Sequence, residues 1–100
     1  MKFFIRIFSS TNIDHGLIGQ WEGLFDGEKV IMTFTNNGLL DYEIHSQDKI
    51  QIIKMTFRTE NGLLVTNQPS HPIEEITKYR IHGSNLELNF NGELSEFRRK

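Results

Sequence analysis

Four histidines, His15, His45, His71 and His82, have the widest chemical repertoire in this sequence. Imidazoles bind zinc when several of them, neutral, converge on one ion, and close-spaced pairs commonly build such sites. No two of these four stand at i, i+2 or i, i+4. His45 and His82 fall on the polar parity of their segments, and His15 and His71 fall in loops. They read as solvated histidines. Paired carboxylates are the next candidates, in Asp41 with Glu43 and in Glu74 with Glu75. Hydrolysis of a glycosidic bond needs two carboxyl groups facing each other across a pocket. Asp41 and Glu43 share an outward face, and Glu74 and Glu75 point to opposite faces. Ser70, His71 and Asp48 could be assembled into a triad, but no nucleophile elbow surrounds Ser70. The glycines are each expected at a turn, which leaves no phosphate-cradling loop. These types and spacings assign no catalytic residue, no metal site and no cofactor, and the chain reads as a non-enzyme.

The remaining candidates are large, soft and apolar. Met32, Phe34, Tyr42, Met55 and Tyr79 share the inward parity of their segments and could line the upper part of a barrel. Two tyrosine hydroxyls and flexible methionines suit an apolar ligand carrying one polar group. The same residues could instead fill a packed core with satisfied hydroxyls.

Strands must position them. "EKVIMTFT" puts Val30, Met32 and Phe34 on one face, and "LLDYEIH" does so with Leu40, Tyr42 and Ile44. In "IQIIKMTFR", Ile50 and Ile52 have the opposite parity to Ile53, Met55 and Phe57, which a bulge near Ile52 would reconcile. "EEITKYRIH", "LELNF" and "ELSEFRR" follow, and the inward set there takes in Ile76, Tyr79, Ile81, Leu86, Leu88, Phe90, Leu94 and Phe97. Turns rich in Gly and Asn separate the segments, Asn91-Gly92 being the strongest hairpin signal. Counting the segment around Trp21, this predicts an all-β chain of eight strands joined by short turns. Such a meander hides its apolar face and both edges by closing into an antiparallel up-and-down barrel.

Bulk composition agrees with one domain over residues 1–100. One hundred residues support a single core, and eight Phe supply bulk. Lys plus Arg number 11 against 13 Asp plus Glu, so no basic footprint for nucleic acid exists, and "FRRK" is too short to supply one. Cysteine is absent, which excludes disulfides and a thiolate nucleophile. The N-terminal "MKFFIRIFSS" has the outline of a signal peptide, but Arg6 interrupts its apolar run and no cleavage site follows. No stretch reaches membrane-spanning length. The expectation is a soluble, cytoplasmic protein without a membrane or nucleic-acid partner. Residues 1–15 are expected to add a strand or cap, because "FFIRIF" left free would aggregate. Monomer and homodimer both remain open.

Gly19-x-Trp21 at the head of the first strand resembles the lipocalin (calycin) signature. The order "IGQWEG", "VIMTFTNNGLLDYEI", "MTFRTENGLLVTN", "TKYRIHGSNLELNF" is similar to the small bacterial lipocalin-like domains, over residues 17–99. The resemblance implies a lipocalin-like barrel with Trp21 as a plug at its closed end, under an arginine from the last strand. Arg99, sharing parity with Phe97, is the candidate, and Gly19, Trp21 and Arg99 then form a structural signature. It also implies a carrier or sensor of a small hydrophobic molecule. In layout the chain also resembles the staphostatins, inhibitors of papain-like cysteine proteases, through "MKFFIRIF" before "IGQW". Their Gly-Thr-Ser inhibitory segment is missing before the last strand, so no inhibitory residue is assigned. The alternative function is thus a protein-binding module or protease inhibitor acting through a loop such as "QPSHP" or an edge of a filled barrel. A hollow interior favours the first reading and a packed one the second.

Overall fold

The computed structural model describes residues 12–100. Eight strands follow one short 3-10 turn at His15–Leu17. They are β1 (Gly19–Phe25), β2 (Glu28–Phe34), β3 (Leu39–His45), β4 (Ile50–Glu60), β5 (Leu63–Gln68), β6 (His71–His82), β7 (Asn85–Phe90) and β8 (Glu93–Arg99). Each pairs antiparallel with its successor, and β8 returns to β1 to close an up-and-down barrel. The fold is therefore all-β and lipocalin-like. Three of the turns are Asp26-Gly27, Asn61-Gly62 and Asn91-Gly92, with φ positive at both residues. That backbone matches the twist of the flanking strands, and it is why Asp or Asn before Gly makes tight hairpins here.

Tight turns fix two ends. At one lie the 3-10 turn and the connections β2–β3, β4–β5 and β6–β7; at the other lie β1–β2, β3–β4, β5–β6 and β7–β8. The first end is closed. Asp14 caps the 3-10 turn, its Oδ1 accepting from Gly16 N–H at 2.9 Å, and Leu17 is fully buried. Trp21, also fully buried, donates its indole N–H to the Leu17 carbonyl at 2.9 Å. The Arg99 guanidinium lies 4.1 Å from the Trp21 ring centroid and donates to the carbonyls of Ile18 and Gly16, at 2.9 and 2.6 Å. A cation over an indole face adds roughly 0.5–2 kcal/mol, beside the hydrogen bonds. Trp21 and Arg99 are also register partners across the β1–β8 seam.

Several expectations need correction. No bulge occurs near Ile52: β3 and β4 pair without interruption from Leu39↔Thr56 to His45↔Ile50. Unbroken alternation leaves Ile50 and Ile52 outside, both more than half exposed. The register shift falls instead between Asn67 and Gln68, on β5. Ile76 and Leu94 also lie outside, at 56% and 63% exposure, because Glu75, Thr77 and Ser95 hold the inward positions beside them. His71 opens β6 rather than standing in a loop. Of the strand or cap expected over residues 1–15, residues 1–11 lie outside the described residues. Asn12–Asp14 form no strand; the Asn12 carbonyl accepts from Thr59 N–H at 2.9 Å and Ile13 packs against the core.

Gly23 makes the seam close. A Cβ there would stand 2.6 Å from both the Glu96 carbonyl oxygen and the Phe97 ring. Gly62, at φ +80°, has nothing within 4 Å of such an atom, so it pays only backbone strain. Gly23→Ala should therefore destabilise by about 2 kcal/mol through backbone overlap, and Gly62→Ala by about 1 kcal/mol. Urea midpoints at unchanged slope check the difference.

Candidate functional site

Large side chains crowd the closed end and thin out toward the other. Phe34 and Phe57 meet there edge to face, centroids 5.0 Å apart and planes at 84°. Above them the barrel holds a cavity of about 320 Å³. Its floor is made by Met32, Leu40, Leu64 and Phe97, all at most 3% exposed. Tyr42, Ile53, Met55 and Leu88 form half-buried walls, and Phe25 and Phe90 stand at the exposed mouth. Met32 is the register partner of both Trp21 and Tyr42, so the floor rests on the plugged end.

The polar lining is gathered on one side. Thr66 and Gln68 come from β5, Glu75 and Thr77 from β6, and Ser95 from β8. Thr66 faces Glu75 and Leu64 faces Thr77 across the β5–β6 pair, which makes the four polar groups of those strands contiguous. Burial pushes the Tyr42 hydroxyl upward in pKa, so it remains a neutral donor and acceptor. A wider depression of about 840 Å³ lies between the β1–β2 and β3–β4 turns. Its charged and polar residues, Glu28, Lys29, His45 and Asp48 among them, surround open solvent, so it encloses nothing.

Met32, Tyr42 and Met55 thus line one cavity, whereas Phe34 and Tyr79 do not reach it. Alternation assigns a side chain to a face but not to a height along the barrel axis. Phe34 pairs with Gly19 at the closed end and is 1% exposed. Tyr79 donates its hydroxyl to Asp14 Oδ2 at 2.6 Å, tying β6 to the residue that caps the 3-10 turn. Burial, with the Asp14 hydrogen bond and charge, pushes its pKa up to about 12. None of the five polar lining residues, Thr66, Gln68, Glu75, Thr77 and Ser95, is in the sequence candidate set, and Glu75 and Thr77 are the two that the pattern could have found. Counting back in twos from the inward Tyr79 reaches both, a signal obscured by the apolar Ile76 between them.

The other candidates are ordinary surface pairs. Asp41 accepts from Lys54 at 3.2 Å, Glu74 from Arg58 at 2.9 Å, and Glu43 lies 3.1 Å from the His45 ring. Among the described residues no three His, Asp or Glu side chains come together as a metal site.

No protein-family model matches the chain, and no curated protein matches it. Among solved structures it is similar to a lipocalin lipoprotein affecting virulence in Streptococcus pneumoniae, at TM-score 0.65 and 11% identity. The match covers 88% of this chain and 97% of that one. At so low an identity the likeness is one of fold.

The Tyr79 hydroxyl yields a pH test. Its folded pKa lies above the unfolded value of 10.0, so the stability it lends is full below pH 10 and is lost as pH rises toward 12. Tyr79→Phe should be less stable than the parent at neutral pH. The gap between the two urea midpoints should shrink between pH 10 and 12.

Proposed function

We propose that this chain is a non-catalytic binding protein that carries or senses a small hydrophobic molecule, held in the cavity opposite the Trp21 plug. The observation that carries this reading is the hollow of about 320 Å³ inside a closed, lipocalin-like barrel. Ligand pockets begin at roughly 300 Å³ and are mostly apolar with a few placed polar groups. This one has ten apolar or aromatic side chains and five polar ones around it. Met32 and Met55 add adaptable surface, since a thioether chain can repack around ligands of different shape. Met32, Tyr42 and Met55 are the proposed binding residues, joined by Leu40, Leu64 and Leu88. The protein-binding or inhibitor alternative rested on a filled barrel, and a cavity of this size does not favour it.

Titration with the neutral apolar probe phenylnaphthylamine tests the proposal. The native protein should bind one probe per chain with saturable fluorescence enhancement. Met55→Trp, which fills the cavity without touching the plug, should weaken binding by about tenfold or more, the loss of one well-packed apolar contact set. Far-ultraviolet circular dichroism should confirm that the variant stays folded. Absence of saturable binding, or equal binding by Met55→Trp, overturns the reading.

A further inference from the structure

The cavity is chemically one-sided, and that side specifies what enters. Its only ionisable carboxylate among the described lining residues is Glu75, and those residues include no Lys, Arg or His. Glu75 is exposed at the mouth, faces Thr66 across the β5–β6 pair, and has Thr77 two positions on along the same inward face. The neighbouring carboxylate, Glu74, points outward and is held by Arg58 at 2.9 Å. That arginine lines the outer groove and not the cavity, so it neutralises the wrong carboxylate for a ligand inside. Gln68, the one amide among the described lining residues, donates one of its two amide N–H groups to Ser70 Oγ at 3.1 Å. The polar wall therefore offers an acceptor-only carboxylate flanked by hydroxyls, while the opposite wall offers methionine, leucine and aromatic surface.

The geometry points to an amphiphile with a cationic, hydrogen-bond-donating head, an alkyl or aryl amine, as the ligand class. This rests on the reading of the cavity as a ligand site. The apolar body lies over Met32, Leu40 and Met55, and the ammonium meets Glu75 with Thr66 and Thr77 as further acceptors. An ammonium–carboxylate hydrogen bond is short and about twice as strong as a neutral one. A carboxylate ligand of the same length meets like charge, with no cation among the described lining residues to offset it. Discrimination against the anion is thus built from repulsion as well as from the attraction offered to the amine.

Displacement of bound phenylnaphthylamine by decylamine, decanol and decanoate at neutral pH separates the outcomes. Decylamine should displace the probe at a concentration about tenfold lower than decanoate, with decanol between them. Glu75→Gln should retain probe and decanol binding and narrow the amine–acid gap to about twofold. Glu96→Gln, which removes the same charge from the outer face of β8, should leave the gap unchanged. Because Glu75 is exposed, the preference should also fall with added salt. Equal displacement by amine and acid, or a gap that survives Glu75→Gln, overturns the ligand class while leaving the cavity reading intact. If neither the probe nor any of the three chains binds, the cavity reading itself fails, and this inference with it.

Discussion

The seam between β1 and β8 joins strands from opposite ends of the described chain, and closure of the barrel depends on its holding. The seven hairpin pairings need only a short turn, whereas this one closes a loop that includes all the other strands. The cost of bringing distant segments together grows only slowly with length, but it must be met by contacts at the join. The seam has just three register pairs, Trp21↔Arg99, Glu22↔Arg98 and Gly23↔Phe97, so side chains must supply what the ladder lacks. Trp21 and Arg99 do so by stacking, and Gly23 by giving up its side chain to let Phe97 approach. Lys100 N–H adds a last bond to the Gln20 carbonyl at 2.9 Å.

Closure at this end decides the character of the other. Leu17, Trp21, Phe34 and Phe57 take up the interior near the 3-10 turn, and Tyr79 braces that turn through Asp14. Eight strands leave room either for a filled core or for one small ligand. With the bulk spent below, the upper positions carry threonines, a serine and a glutamate among the apolar side chains, and these do not meet across the axis. A single barrel thereby separates a packed, plugged end from a hollow one. Trp21 and Arg99 belong to the packed end, and Met55 and Glu75 line the hollow.

Much of this was legible from the residues. The Asp-Gly and Asn-Gly turns, the alternation of "VIMTF" and "LLDYEI", and the solitary Trp after Gly19 specify an eight-stranded meander, because turn chemistry and period-two patterning are local. Errors arose where a large apolar residue was assumed to face inward. Ile76 and Leu94 sit outside, and the inward slots next to them belong to Glu75, Thr77 and Ser95. Ile50 and Ile52 misled in the same way, suggesting a bulge where the ladder is regular.

Strand number and the Asp-Gly and Asn-Gly turns were set by the sequence itself, since each is decided by a few neighbouring residues. Height along the barrel axis was not, because it depends on how eight registers accumulate around a closed ring. That is why Phe34 and Tyr79 share the parity of Met32, Tyr42 and Met55 yet belong to the plug. It is also why Glu75, an unremarkable charge in "PIEEIT", becomes the one carboxylate among the described residues lining the cavity. Only the closed barrel brings Ser95 of β8 onto one hollow with the hairpin partners Thr66 and Glu75, a placement that no local pattern encodes.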